Sequence, residues 1–215
     1  MEKLKAHFSV WLAKVVTILA GKTGWTWLVK LMRRLTGTQV TVEQIMAVRA
    51  AMKDNPGGNL LIFGVGNDSL FWMNSNSGGR TVFIEDDDFW LRKVKKRVAG
   101  IEAYLVDYDS KIEDWKEIID KPERLEMDFP KEVADTKWDV ILVDAPTGWG
   151  EGTKGRMKSI YAGRKMVSTT GHVFVHDCDR EVEIAYCDAL LKPENFVKEI
   201  TAVDVGYLRH YKFQA

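Results

Sequence analysis

The spacing of apolar residues separates a helical N-terminal part, residues 1–40, from an alternating body. In the first part large apolar residues recur every three or four positions, which predicts two amphipathic helices. The first stripe is Phe8, Trp11, Leu12, Val15, Val16 and Leu19, and the second is Trp25, Leu28, Met32 and Leu35. Gly21 and Gly24 are expected to separate them. These helices could cap the core, join a second copy of the chain or lie on a membrane surface.

A third helix is predicted to begin at Thr41. Its hydroxyl and the side chain of Gln44 have the spacing of a capping box, in which each side chain satisfies the other residue's backbone amide. The turn residues 55–58, Asn-Pro-Gly-Gly, are expected to end this helix.

Beyond this turn the chain consists of short, continuously apolar runs separated by segments that can hold helices. Such runs are typical of parallel strands that are buried on both faces. They occupy residues 60–63, 81–85, 103–106, 138–144 and 172–176, and two further runs, 196–203 and 207–213, suit an antiparallel hairpin through Asp204-Val205-Gly206. Seven strands that close with a hairpin predict the methyltransferase variant of the doubly wound α/β architecture. Residues 41–215 would form this domain, with residues 1–40 as an accessory.

Composition and charge narrow the classes of function. The 215 residues contain 31 Lys and Arg and 31 Asp and Glu, a balance that argues against a nucleic-acid partner. Cys178 and Cys187 are too few for a disulfide framework or a four-ligand zinc site, which favours reduced thiols and a cytoplasmic protein. The apolar run at residues 8–20 contains Lys14 and is shorter than a bilayer span, so no transmembrane segment or secretory signal is expected.

Ligands of open α/β sheets bind at the carboxyl ends of the strands, and the first two ends suggest a nucleoside. Gly64 and Gly66 after the first run permit a tight turn and close approach to a ligand. Asp68 disfavours a pyrophosphate and suits a cationic group. Glu85, 19 positions after Gly66, has the spacing of an acid that binds ribose hydroxyls. The other candidate cofactor contacts are Asn67, Ser69, Asp86 and Tyr108, the last of which could flank an adenine.

The fourth and fifth strand ends carry the candidate catalytic residues. Asp144 ends one apolar run, and His176 and Asp177 end the next. This cluster could hold a divalent metal ion, supply a general base or form a structural network around the cofactor. Arg156 could bind an anionic substrate or pair with a carboxylate.

Several motifs, taken in order, resemble the glucuronoxylan 4-O-methyltransferase family of plants. They span roughly residues 40–213, and the most specific are the Asp-Ala-Pro-x-Gly-aromatic and Gly-Arg-Met segments. The matching segments are residues 63–69 with Trp72, 83–87, 138–139, 144–149, 155–157 with Ile160 and Tyr161, and 173–177 with Arg180, Val182 and Glu183.

The resemblance implies a class I S-adenosylmethionine-dependent methyltransferase that acts on a sugar hydroxyl, in the family the 4-hydroxyl of a glucuronic acid side chain. It also implies cofactor contacts by Gly64, Gly66, Asp68, Ser69, Glu85 and Asp144. Plant members carry His where this chain has Asn67. They also carry a Golgi membrane anchor, so a compact chain without one fits a microbial homologue.

The expected mechanism has the acceptor hydroxyl surrounded by Asp144, His176 and Asp177, with His176 as the base. Asp144 and Asp177 are also candidate ligands of a divalent metal. Arg156 and Arg180 would bind the carboxylate of a uronic acid glycan or a small anionic acceptor, and Trp149 would stack on a sugar ring. The alternatives are a methyltransferase of a small molecule, a NAD-dependent oxidoreductase and a non-catalytic interaction protein. The N-terminal helices could support a homo-oligomer.

Overall fold

The structure is a computed structural model that describes residues 2–202 and 205–214, with side chains from residue 11 onward. Its centre is a seven-stranded sheet in the order β3-β2-β1-β4-β5-β7-β6, parallel except for β7, which runs antiparallel to both neighbours. The strands are β1 (Leu60–Phe63), β2 (Thr81–Glu85), β3 (Glu102–Leu105), β4 (Trp138–Val143), β5 (Val167–Val175), β6 (Phe196–Ile200) and β7 (Leu208–Lys212).

The predicted seven strands and closing hairpin are therefore confirmed. The largest difference is in β5, which begins at Val167 rather than at residue 172 because Val167 pairs with Trp138 on β4. Residues 203 and 204, the end of the predicted sixth run and the first residue of its connection, lie outside the described residues.

Helices cover both faces of this sheet. They are α1 (Glu2–Thr23), α2 (Thr26–Thr36), α3 (Val42–Asp54), α4 (Ser69–Ser75), α5 (Asp88–Arg97), α6 (Trp115–Ile118), α7 (Pro122–Leu125), α8 (Lys131–Ala134), α9 (Met157–Met166) and α10 (Glu181–Tyr186). Short 3₁₀ turns at Ile112–Asp114 and Pro193–Asn195 and a π turn at Cys187–Leu191 complete the connections. One apolar core joins α1–α4 to the sheet, and a second joins α6–α10 to its other face.

The N-terminal helices pack onto the sheet, but only part of each predicted stripe is buried. On α1 the buried residues are Val16, Thr17 and Ala20, whereas Trp11, Leu12 and Leu19 are exposed. On α2 they are Leu28, Val29 and Met32, whereas Trp25 and Leu35 are exposed. The predicted role of these helices as a cap on the core is thus supported. Several of their large apolar side chains nevertheless remain exposed on the surface. Within the described residues, no helix is long and apolar enough to cross a membrane.

Gly21 does not separate the two helices, contrary to the prediction, because α1 continues through it to Thr23. A Cβ at this position would lie 2.7 Å from both the Cβ of Asn74 and the carbonyl oxygen of Phe71. The glycine therefore permits close packing of α1 on α4. The break is made by Gly24, whose φ of +65° lies in the left-handed region that favours glycine.

The start of α3 is as predicted. Thr41 Oγ1 accepts a hydrogen bond from the backbone amide of Gln44, and Gln44 Oε1 accepts one from the amide of Thr41. The Gln44 amide group also donates to the carbonyl of Gly206 at 2.8 Å. The capping box thereby links α3 to the connection that precedes β7.

Two buried histidines connect β5 to β7. His172 Nδ1 and His210 Nε2 are 2.8 Å apart, and Phe174 stacks on the His210 ring. Burial and the charge of Lys212 lower the pKa of His172, against a weaker opposing effect of Asp54. Burial, His172, Lys198 and Lys212 lower the pKa of His210 to about 3. Both rings are therefore neutral at pH 7.

Acid is expected to destabilise the fold through this pair. Because the folded pKa of His210 lies below the unfolded value of about 6.5, the unfolded chain binds more protons as the pH falls below that value. Between pH 7 and pH 5 this costs about 2 kcal/mol, and H210F should remove that part of the pH dependence. Urea unfolding of wild type and variant at both pH values measures it. Y211F, a neighbouring change that removes no titrating histidine, should leave the pH dependence unchanged.

Candidate active site

A cavity of about 830 Å³ opens at the carboxyl ends of β1, β2, β4 and β5. The connection between α2 and α3 and the segment before β7 also contribute to its wall. Its lining includes Gln39, Val40, Gly64, Gly66, Asp68, Trp72, Glu85, Asp86, Trp90, Asp144, Gly148, Trp149, Arg156, His176, Asp177, Arg180 and Gly206. Most of the site residues predicted from the sequence therefore meet in one cavity.

The turn after β1 brings backbone close to this cavity. Gly64 has a φ of +114°, and a Cβ there would be 3.1 Å from the Cβ of Ala145. Ser69 is buried and accepts a hydrogen bond from the amide of Gly66 at 3.0 Å. Asn67 turns away, since its amide nitrogen donates to the carbonyl of Thr36 and its oxygen accepts from Arg97. Ser69 and Asn67 thus shape the turn from outside the cavity.

Asp68 places an acid on the cavity wall beside that turn. Its carboxylate accepts a hydrogen bond from Trp72 Nε1 at 2.9 Å. Burial raises the pKa of Asp68 to about 6, and the charge of Asp144 adds to the effect. A cationic ligand in the cavity would favour the ionised form of Asp68, so this wall suits a positively charged group.

Glu85 ends β2 as a buried carboxylate anchored by backbone. It accepts hydrogen bonds from the amides of Val65, Asp86 and Asp87 at 2.8 to 3.0 Å. A carboxylate has about four acceptor positions, so one remains for a ligand hydroxyl. Burial raises the pKa of Glu85. Asp86 beside it pairs with Lys154 at 3.1 Å.

Tyr108 is not placed beside the cavity. Its buried hydroxyl lies 2.8 Å from the hydroxyl of Ser159, beneath the Ala145 backbone. Trp90, in the first turn of α5, is an aromatic residue that does line the cavity, near the end of β2. Sequence reasoning missed Trp90 because it follows the strand end by five residues and belongs to the next helix.

The opposite end of the cavity holds a network of charges around His176. The Nδ1 atom of His176 lies 3.2 Å from Asp144 Oδ1 and 3.1 Å from Asp177 Oδ1. Arg156 and Arg180 approach the other Asp177 oxygen at 2.6 and 2.9 Å. Asp177 itself has a φ of +62°, a strained conformation for a residue other than glycine. The juxtaposition predicted for Asp144, His176 and Asp177 is therefore present.

The charges in this network set its protonation. Burial alone would lower the pKa of His176, but the hydrogen bonds to Asp144 and Asp177 and their charges outweigh it and raise the pKa to about 9. Burial would raise the pKa of Asp177, but His176, Arg156 and Arg180 lower it to about 2. At pH 7 His176 is therefore a cation and Asp177 an anion.

Arg156 is a buried structural group rather than an open anion clamp. Its guanidinium donates to the backbone carbonyls of His176, Asp144 and Pro146 at 2.7, 2.9 and 3.3 Å, besides pairing with Asp177. These bonds tie the ends of β4 and β5 together. Few of its donors remain for a substrate, so the geometry favours the second of its two predicted roles, pairing with a carboxylate.

Arg180 is more exposed than Arg156. Its side chain is 29% exposed, although its Nη1 is buried and makes no hydrogen bond with the described residues. Trp149, also on the cavity wall, is 70% exposed. These two residues form the rim at which an anionic ring could enter.

Glu183 lies behind the cavity wall, next to Gly148, and has no role among the predictions from the sequence. It is fully buried in the first turn of α10, and neither carboxylate oxygen has a hydrogen-bond partner among the described residues. Burial raises its pKa to about 7. A Cβ at Gly148 would lie 2.7 Å from Glu183 Oε1, so the glycine on the cavity wall makes room for this carboxyl group.

The donor set does not fit a metal ion. Oδ1 of Asp144 and both oxygens of Asp177, the predicted ligands, already contact His176, Arg156 or Arg180, so cationic groups occupy these positions. Among the described residues, no group of three or more His, Cys, Asp and Glu side chains is arranged to hold a metal ion.

Comparison with known proteins identifies the family. The family model IRX15/IRX15L/GXM matches residues 43–127 and 123–211. The chain belongs to the IRX15/IRX15L/GXM family. It is 37% identical to glucuronoxylan 4-O-methyltransferase 1 of Arabidopsis thaliana, over 82% of this chain and 68% of that protein. Two further relatives come from the same plant. Identity to glucuronoxylan 4-O-methyltransferase 3 is 33%, over 80% of this chain and 63% of that protein. Identity to arabinogalactan O-methyltransferase 2 is 31%, over 82% of this chain and 68% of that protein.

The chain thus spans about two thirds of the length of these IRX15/IRX15L/GXM relatives. Solved structures agree with the fold. An S-adenosylmethionine-dependent O-methyltransferase from Thermotoga maritima superposes with a TM-score of 0.52 at 10% identity, covering 80% of this chain and 65% of that one. A putative caffeoyl-CoA O-methyltransferase from Staphylococcus aureus gives 0.51 at 14%, covering 78% and 82%.

These findings confirm the family resemblance and the class I methyltransferase fold. The antiparallel β7 and the strand order distinguish this sheet from the dinucleotide-binding order, in which the strands run 3-2-1-4-5-6. Because named members of the family are O-methyltransferases, the predicted enzyme class is also confirmed at the level of the family.

Proposed function

We propose that this chain transfers the methyl group of S-adenosylmethionine to a hydroxyl of a sugar that carries a carboxylate, such as a glucuronic acid side chain of a glycan. The observation that carries this proposal is the single cavity that joins an acid-lined glycine turn to the Asp144 and Arg180 end. The names of the Arabidopsis relatives supply the acceptor class.

The cofactor end fits a cationic nucleoside. Gly64 and Gly66 allow backbone contact with the ligand, Glu85 keeps one acceptor position for a ribose hydroxyl, and Asp68 offers a negative charge to the sulfonium or amino group. Trp90 supplies an apolar wall near Glu85. A nucleoside held by these residues would supply the methyl group within the same cavity as Asp144 and His176.

We infer that Asp144, rather than His176, receives the acceptor proton. As the acceptor oxygen bonds to the methyl carbon, the carbon–sulfur bond breaks with its electron pair left on sulfur, and the hydroxyl proton passes to Asp144. The Asp144 side chain is 31% exposed, and its Oδ2 makes no hydrogen bond with the described residues. His176 is buried and carries a proton already, so it acts as the cation that holds Asp144 in place.

Arg180 is proposed to bind the acceptor carboxylate. R180Q should raise KM for a uronate acceptor by about 10- to 100-fold, because a charge-assisted hydrogen bond is lost. The kcat should change much less, since Arg180 does not touch the reacting hydroxyl. Initial rates over a range of acceptor concentrations separate the two constants.

A matched control is R164Q, which removes an exposed arginine on α9 outside the cavity. It should leave KM unchanged. An unchanged KM in R180Q would assign the acceptor carboxylate to another group.

The function is tested in two steps. Calorimetry should show binding of S-adenosylhomocysteine and none of NAD. Wild-type enzyme with S-adenosylmethionine is then offered xylo-oligosaccharides with and without a glucuronic acid side chain, and free glucuronate, and methylated products are measured by mass spectrometry. We expect methylation of the glucuronic acid-bearing oligosaccharide.

Three outcomes would count against the proposal. Methylation of free glucuronate alone would favour a small-molecule acceptor, binding of NAD would favour an oxidoreductase, and binding of S-adenosylhomocysteine without turnover of any acceptor would favour an interaction protein. We also propose a cytoplasmic location, supported by the use of only two cysteines, both buried as thiols.

A further inference from the structure

The N-terminal helices carry an unusual distribution of charge. Residues 3–42 contain seven Lys and Arg and no Asp or Glu, whereas residues 43–215 contain 24 against 30. The neutral chain is therefore divided into a basic N-terminal part and an acidic body. In the part whose side chains are described, the basic residues are Lys14, Lys22, Lys30, Arg33 and Arg34, and none of them forms an ion pair with a described acid.

Large apolar side chains lie exposed among these cations. Trp25 and Trp27 are 58% and 59% exposed, and their rings stack at 6.1 Å. Trp27, Lys30 and Arg34 follow the spacing i, i+3 and i+7, so they share one side of α2, and all three are exposed. On α1, exposed Leu12 and Leu19 are also seven residues apart, so they share one side of that helix.

The basic surface continues onto α5. A cleft of about 560 Å³ runs between α1, α2 and α5, with Lys14, Leu35 and Arg97 on its walls. The exposed residues of α5 include Phe89 and four of its five cations, Arg92, Lys95, Lys96 and Arg97. We call the exposed apolar and basic side chains of α1, α2 and α5 the basic aromatic face.

We propose that the basic aromatic face docks onto the surface of a bilayer that contains anionic lipids. Tryptophan prefers the boundary between headgroups and acyl chains, and Lys and Arg beside it are attracted to anionic headgroups. Neither α1 nor α2 needs to cross the membrane for this, because another part of the surface of each helix is buried in the protein core.

Charge favours this occupant over a second copy of the chain. In a symmetric dimer the same surface patch meets itself. Such contact would bring the five cations of one copy close to those of the other, with no Asp or Glu in residues 3–42 to offset them. An anionic lipid surface supplies the opposite charge over the whole face.

Vesicle co-sedimentation of the full chain tests the proposal. Vesicles of phosphatidylcholine alone are compared with vesicles that contain about 30% phosphatidylglycerol, at about 0.1 M and 0.5 M salt, conditions that differ strongly in screening. We expect binding to the anionic vesicles at low salt, weaker binding at high salt and little binding to phosphatidylcholine alone.

Two double variants locate the surface. K30E/R34E and W25S/W27S should each weaken binding by about tenfold or more, the first through charge and the second through interfacial burial. The charge-matched control is K111E/K131E. Both lysines belong to the part of the chain that covers the other face of the sheet, so this variant should bind like wild type. Circular dichroism confirms that each variant is folded.

The proposal is overturned if the wild-type chain does not bind anionic vesicles or binds neutral vesicles equally well. It is also overturned if both folded double variants bind like wild type. If size-exclusion chromatography shows that W25S/W27S converts a dimer into a monomer, the face is instead covered by a second copy.

Discussion

D144N is expected to lower kcat by about 100- to 10,000-fold, the usual contribution of a positioned proton acceptor. Asparagine keeps the size of the side chain and one acceptor oxygen for His176 but cannot take up the proton of the acceptor hydroxyl. Binding of S-adenosylhomocysteine should change little, because Glu85, Asp68 and the glycine turn are untouched. Single-turnover rates at saturating acceptor, together with calorimetry, measure the two quantities.

The matched control is D139N on the same strand. Asp139 lies at the other end of β4, where it accepts a hydrogen bond from the amide of Asn59 at 2.8 Å. D139N should keep wild-type kcat per folded molecule. Retention of full kcat by D144N would remove Asp144 from the role of proton acceptor.

The pH profile distinguishes Asp144 from His176 in wild type. With Asp144 as acceptor and His176 protonated below its pKa of about 9, kcat should be nearly constant between pH 7 and 8.5. With His176 as the base, kcat would instead rise about tenfold per pH unit until that pKa is reached.

R156M is expected to lower the free energy of unfolding by about 3 to 5 kcal/mol, the usual cost of leaving one member of a buried ion pair without its partner. The change removes the cation that pairs with Asp177 and leaves the carbonyls of Asp144 and His176 without their donor. Urea denaturation at pH 7 measures the loss. Activity should fall for anionic and neutral acceptors alike, because the strand ends themselves move.

R164M on the same helix is the control. Arg164 is exposed and lies over the Phe213 ring, so its replacement should cost less than about 1 kcal/mol. A variant R156M with wild-type stability and a raised KM only for anionic acceptors would restore Arg156 to the substrate-binding role.

The sheet could be predicted because its strands are apolar on both faces. A run such as residues 60–63, with polar and glycine residues on each side, has few alternatives to a central parallel strand. The α3 cap was equally predictable, since Thr41 and Gln44 interact locally. The helical stripes of α1 and α2 were predicted less well. Both sides of α1 are apolar, so spacing alone could not tell the core side from the exposed side.

The site was predicted at the level of strand ends and not of individual contacts. Topology brings Asp144, His176 and Asp177 together wherever β4 and β5 are neighbours, so their proximity follows from the order of elements. The structural role of Arg156 could not be predicted from the order of elements. Its partners are mostly backbone carbonyls, which every residue has and which therefore leave no pattern in the sequence. The burial of Glu183 could not be predicted either, because only the packing of the folded chain shows that its carboxyl group is buried without a partner.

The sequence alone determined the seven strands with their closing hairpin, the acids at the strand ends and the segregation of positive charge in residues 3–42. These properties depend on local patterns and on residue identity. Only the tertiary structure decided which groups are charged, which guanidinium is partly exposed and which apolar residues lie on the surface. Protonation and exposure depend on neighbours distant in sequence, as His176 shows, whose pKa is raised by a carboxylate 32 positions earlier in the chain and by the one that follows it.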